Sequence, residues 1–208
     1  ENYSDIPIIL SELNERIRKK KVFISGAFSS YETKIEKFSH EFSRNLTASL
    51  FDNDYRIING IGRRFGTHLI GYANEYLVKM GVKDIEKYLI KPFVGNKEHS
   101  AEKKQRLREN VIGQCGTAIF VFGETDGNSV NTKSGVLEEF DIACKLHKVI
   151  IPISYPNMIS EEIWKIIKDN ITEYPYLEKS IDLLMSTKSA EQISKLIVHI
   201  IDSVQEAE

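Results

Sequence analysis

Apolar residues along the chain follow two rhythms in alternation. Short uninterrupted runs read as strands buried on both faces: residues 21–25 (K-V-F-I-S), 56–58 (R-I-I), 117–122 (T-A-I-F-V-F) and 149–153 (V-I-I-P-I). Longer stretches between them repeat their apolar residues every three or four positions, as one face of a helix does. Residues 31–51 place Ile35, Phe38, Phe42, Leu46 and Leu50 on such a face. A helix following Gly66 carries Leu69, Ile70 and Ala73 to about residue 79, and Gly81 ends it. Further helices are predicted over 102–113, 134–146, 160–170 and 189–204, with 172–186 irregular. A third strand falls within 85–93, its end set by Pro92.

The first twenty residues read as one more helix, with Leu10, Leu13 and Ile17 in a stripe, Ser4 or Asp5 as its cap and Pro7 in its first turn. Its end is basic, from Arg16 to Lys21, which suits the negative end of a helix dipole. Strands and helices in this alternation predict a parallel sheet covered on both faces, an α/β fold. In such sheets ligands sit beyond the carboxyl ends of the strands, where strand order reverses. The loops after Ser25, Ile58 and Phe122 fall there.

Composition narrows the function classes. The chain has 208 residues, 41% hydrophobic and 28% charged, enough for one domain with a sizeable core. A net charge of -2 gives no basic field for nucleic acid or an anionic membrane. No apolar run approaches the ~20 residues that span a bilayer, and residues 1–5 lack the basic start and apolar core of a secretory signal. Cys115 and Cys144 form no C-x-x-C and read as buried thiols of a reducing compartment, so a cytoplasmic protein is expected. The five histidines are scattered without metal-ligand spacing, and no metal is expected.

The stretch Tyr55 to Ala73 is the centre of the candidate chemistry. A short strand breaks into Gly60, Gly62 and Gly66, with Arg63 and Arg64 between them, and resumes as a helix. Glycines allow close backbone approach, a helix start offers unpaired N–H donors, and two arginines favour a phosphorylated ligand. The spacing is one residue off the dinucleotide fingerprint; a plain glycine turn with two solvated arginines is the simpler alternative. The loop Gly26-Ala27-Phe28-Ser29-Ser30 is small and hydroxylic, as either a phosphate loop or an ordinary strand-to-helix turn. Lys133 precedes Gly135, which opens a helix bearing Glu138 and Glu139. One of these carboxylates can accept from ribose or adenine, or act as a base; both equally suit a helix N-terminus. Arg106 and Arg108 are two apart, so they point to different faces and one is expected to reach the pocket. Ser25 reads as a hydrogen-bond donor, since no His or Asp pairing makes it a nucleophile. Cys144 and His147 read as core and helix end.

V-F-I-S-G-A, I-I-N-G-I-G-R-R-F-G, A-I-F-V-F-G and S-G-V-L-E-E-F together resemble the SLOG superfamily of Rossmann-like nucleotide-binding domains, over about residues 21–204. The resemblance is greatest to the C-terminal domains of Thoeris antiphage effectors. It implies a linker helix at 1–20, leading from an N-terminal sirtuin-like NAD-cleaving domain, and a SLOG domain at 21–208. It implies a sensor with no catalytic residues and no cofactor. The ligand would be a cyclic ADP-ribose isomer made by a TIR-domain partner, and its binding would switch on the attached NADase. By position the ligand contacts would be Ser25, Gly26, Ala27, Phe28, Gly60, Gly62, Arg63, Arg64, Gly66, Arg106 or Arg108, Lys133, Gly135, and Glu138 or Glu139. A homo-oligomer is expected through the apolar faces of the first and last helices, with no nucleic acid or membrane partner.

The superfamily also contains LOG phosphoribohydrolases, whose P-G-G-x-G-T-x-x-E loop is replaced here by T-K-S-G-V-L-E-E. Without those glycines and that threonine, binding remains possible while cleavage, which needs tighter placement, is impaired. The enzyme alternative is a LOG-type nucleoside monophosphate phosphoribohydrolase with Glu138 or Glu139 as acid/base.

Overall fold

The computed structural model describes residues 5–30, 32–59, 62–90, 100–124 and 135–207. Five parallel strands form one sheet: β1 (Lys21–Ser25), β2 (Arg56–Asn59), β3 (Leu89–Ile90), β4 (Thr117–Val121) and β5 (Val149–Ile153), in the order β3-β2-β1-β4-β5. Register is set by pairs such as Phe23 with Ile58 on one side and with Ala118 on the other. All five residues of β4 are buried, which explains why this run reads as uninterrupted apolar sequence.

Helices α2 (Thr33–Asp52), α3 (Phe65–Lys79) and α7 (Ala190–Ala207) pack together, with α2 central. Helices α4 (Ala101–Gly113), α5 (Gly135–Lys145) and α6 (Ile159–Asp169) form a second group, α5 touching both others. Right-handed crossovers from β1 towards β3, and then from β4 towards β5, put these groups on opposite faces of the sheet. The result is the Rossmann-like α/β fold. The core runs through both faces, with Phe42, Leu46 and Leu50 of α2 and Ile193, Ile197 and Ile201 of α7 buried.

Three expectations change. The third strand begins only at Leu89, after a 3-10 turn at Ile85–Lys87; the rest of the expected stretch, 91–93, lies outside the described residues. Its described residues Leu89 and Ile90 pair with Ile57 and Ile58 at the edge of the sheet. The apolar face of α7 turns inward against α2 and is not a free subunit contact. Asp5 stands at the N-cap of α1 (Ile6–Lys19) without a side-chain cap bond. None of the α1 residues is buried, and Ile8, Ile9, Leu10 and Leu13 are at least half exposed. The segment 172–186 is irregular as expected, holding three 3-10 turns within 171–183. Among the described residues no helix is long and apolar enough to cross a membrane.

Candidate functional site

Strand order reverses between β1 and β4, whose crossovers leave in opposite directions. Loops from the carboxyl ends of β1, β2 and β4 meet there, which is where this architecture opens a binding crevice. They meet backbone to backbone. A Cβ on Gly62 would lie 1.9 Å from the Gly26 carbonyl oxygen, and one on Gly26 would lie 2.5 Å from that of Val121. Gly123 donates its N–H to Ala27 O at 2.9 Å, and Phe28 donates to Arg63 O at 3.4 Å. Phe122 and Gly123 hold left-handed φ values of 61° and 95°, and Arg64 one of 52°. A bulky or β-carbon-bearing residue in that region is strained, and such strain gathers at working sites.

The glycines therefore serve first to let three loops pack against one another. Gly66 is buried in the first turn of α3 and donates to Gly62 O at 3.0 Å. Phe28 is fully buried, its ring 5.0 Å from Phe122, which is 5.1 Å from Phe65. Phe28 thus belongs to an aromatic core below the loops. Gly60 and Lys133 lie outside the described residues.

A polar chain runs from β1 into the second helix group. Ser25 donates its hydroxyl to Glu139 Oε2 at 2.5 Å. Glu139 Oε1 is 3.4 Å from Arg108 Nε, and Arg108 Nη1 also donates to Glu138 Oε2. A Cβ on Gly135 would meet Arg108 Nη2 at 3.0 Å, so the missing side chain gives the guanidinium room beside the start of α5. Burial pushes the Glu139 carboxyl above the ordinary carboxylate range, while Ser25 and Arg108 hold it down. Arg108 is thus the arginine that turns inward; Arg106 is exposed.

Beside this chain lies a cavity of about 550 Å³, lined among others by Lys104, Gln105, Arg108, Gly135, Glu138 and Lys145. Its three cations, Lys104, Arg108 and Lys145, suit phosphate oxygens, and its two carboxylates, Glu138 and Asp141, suit hydroxyls of a sugar. Arg63 and Arg64 are not among the described residues lining it. Arg63 is exposed, and Arg64 pairs with Glu36 Oε1 on α2 at 2.5 Å. The pull of that carboxylate, across the first turn of α3, explains why the glycine-loop arginine does not join Arg108.

Two features have no signal in local sequence. Glu124 Oε1 accepts the backbone N–H groups of both Ser29 and Ser30, and Glu124 Oε2 the Ser29 hydroxyl. A carboxylate thus already occupies the donors that made this loop resemble a phosphate cradle. The second is the meeting of His40, His68 and Glu36, far apart in the chain except for the i, i+4 step from Glu36 to His40. Their ligating atoms lie within 4.8 Å of one another, against the expectation of scattered histidines.

Residues 5–204 match the sequence model described as "STALD: Sir2- and TIR-associating SLOG family". The chain belongs to this family. This STALD domain is 27% identical over 209 residues to the NAD(+) hydrolase ThsA of Bacillus cereus (strain MSX-D12), covering 98% of the chain and 44% of the relative. It is 26% identical over 214 residues to ThsA of Enterococcus faecium, covering 99% of the chain and 44% of that protein. A third relative, ThsA of Cytobacillus dafuensis, is 28% identical over 185 residues, 84% of the chain and 36% of its own length. The STALD domain thus spans less than half the length of these curated relatives.

Proposed function

We infer that this domain is the nucleotide sensor of a longer ThsA-like protein, and that its ligand is a cyclic ADP-ribose isomer. The relatives it matches are NAD(+) hydrolases of more than twice the matched length, so NAD cleavage would belong to an N-terminal sirtuin-like part. The observation that carries the reading is the Ser25–Glu139–Arg108 chain, which ties the β1/β4 switch point to a cationic cavity large enough for a nucleotide. Arg108, Lys104 and Lys145 would take the diphosphate, and Glu138 would take ribose hydroxyls. Ser25 and Glu139 would orient Arg108. In the parent protein, binding would release NAD cleavage in antiphage defence. A ligand does so only by favouring one arrangement over another. The exposed stripe of α1 is the surface through which subunits or domains would rearrange.

Thermal shift of the domain with cyclic ADP-ribose isomers, against AMP and NAD, tests this. At least one cyclic isomer is expected to stabilise it; no shift with any isomer, in a folded sample, overturns the reading. A second reading rests on Glu139, whose raised pKa is the property of a general acid. It makes the domain a LOG-type phosphoribohydrolase, which would release adenine from AMP; intact AMP after prolonged incubation removes it.

A further inference from the structure

We propose that Glu36, His40 and His68 form a binding site for one divalent transition-metal ion of the zinc type, bridging α2 and α3. Glu36 Oε2 lies 3.7 Å from His40 Nε2 and 3.6 Å from His68 Nε2. Ligands around a tetrahedral zinc at bonds of about 2.0–2.1 Å stand about 3.4 Å apart, so closure needs only a few tenths of an ångström on these edges. All three ligand atoms lie within 4.8 Å of one another.

The surroundings prepare the imidazoles for a metal. His68 Nδ1 is 2.8 Å from the buried Ser39 hydroxyl, and His40 Nδ1 is 3.1 Å from the Tyr72 hydroxyl. With each Nδ1–H donated to its oxygen, each Nε2 is left as the acceptor nitrogen, within 3.7 Å of Glu36 Oε2; outer-shell groups fix the tautomer of metal-binding histidines in this way. Tyr72 is itself held by Arg44 Nη2 at 3.2 Å. Glu36 is oriented in the same way, with Oε1 held by Arg64 and Oε2 left towards the rings. The two rings stack with centroids 3.9 Å apart and planes 24° from parallel, so closing on one ion also requires at least one ring to turn out of the stack. Two imidazoles and one carboxylate favour zinc, cobalt or nickel over magnesium or calcium, and leave a fourth position to water.

This site is separate from the cavity at Arg108 and does not depend on the nucleotide reading. The test uses the whole chain, purified without a histidine tag and dialysed against a chelator. It is titrated with Co²⁺, followed by visible d–d absorption, and with Zn²⁺ in competition with a chromophoric chelator. One equivalent should bind with the absorption of a four-coordinate site. His40→Ala and His68→Ala should each weaken Zn²⁺ binding by more than ~100-fold, since outer-shell partners alone carry about 10–100-fold. Ser39→Ala should weaken it about tenfold, and the exposed His199→Ala should leave it unchanged. Circular dichroism of each metal-free variant confirms folding. Failure of the wild-type chain to take up one equivalent, or uptake that survives the His40→Ala/His68→Ala pair, overturns the proposal.

Discussion

Gly62 faces the carbonyl of Gly26 so closely that a β-carbon would sit 1.9 Å from its oxygen. Gly26 is closely surrounded as well, since a β-carbon on it would meet Val121 O at 2.5 Å and the Phe65 ring at 2.7 Å. Gly62→Ala is therefore expected to destabilise the domain by about 1–3 kcal/mol, the range for overpacking a filled site. Gly71 is the control. It lies in α3 with nothing within 4 Å of its would-be Cβ, so Gly71→Ala should stabilise by about 0.5–1 kcal/mol. Denaturant titrations of both variants check the contrast; a neutral Gly62→Ala would mean the loops are loose.

Arg108 and Arg106 should behave differently despite their separation of two residues. Arg108→Ala leaves Glu139 without its cation and removes the arginine proposed to hold the diphosphate. A charge-assisted hydrogen bond contributes about 1.5–3 kcal/mol, so nucleotide affinity should fall at least about tenfold. Arg106→Ala, on an exposed face, should change affinity less than about twofold, in line with a solvated charge. Calorimetry with whichever cyclic isomer stabilises the domain in the thermal-shift test measures both.

Glu139 should leave a mark on the pH dependence of stability. Its folded pKa is raised, chiefly by burial, so the folded state holds its proton more tightly than the unfolded chain. Stability from this group is full below the ordinary carboxylate range and is lost as pH rises through the folded pKa. Glu139→Gln, which cannot ionise, should remove that fall. Melting temperatures of both proteins from pH 4 to 8 should converge at the acid end, apart from a constant offset, and diverge above it. Parallel curves would mean that Ser25 and Arg108 fully offset the burial.

Glu124 holds the Ser29 and Ser30 amides. If those donors serve a phosphate in the complex, the carboxylate competes with it. Glu124→Ala should then lower the melting temperature while tightening nucleotide binding. A lower melting temperature with unchanged affinity would make the loop purely structural.

Helix α1 buries none of its residues, so removing residues 1–19 should cost the domain little stability. The deletion takes away the hydrogen bond that the Gln205 side-chain amide donates to Lys19 O at 3.0 Å, worth about 0.5–1.5 kcal/mol. Ultracentrifugation of the shortened chain should show less self-association, if the stripe is what joins copies.

The sheet was legible because β1, β2, β4 and β5 are short apolar runs whose both faces are covered. The helices were legible because Phe42, Leu46 and Leu50 repeat at helical spacing on a buried face. The start of β3 was not legible, because the apolar residues Ile85 and Tyr88 fall in and just after a 3-10 turn, the tyrosine ring packing edge-on to Phe51. At the site, the sequence marks Gly26 and Gly62 as places of close approach, but cannot say that each approaches the other. The choice between Arg106 and Arg108 follows helix geometry and needed only the position of α5. The partner of Arg64 did not follow, because Glu36 lies on another helix and meets it only through tertiary packing. Glu124 and the Glu36–His40–His68 group were invisible for the same reason.

The backbone bonds from Gly123 to Ala27 and from Phe28 to Arg63 fasten the exits of three strands into one unit. Among the described residues, these two bonds tie each exit to a neighbour. Pressure applied at any one exit is passed to the others, and thence to the bases of α2 and α3, as torque on a linkage with fixed joints.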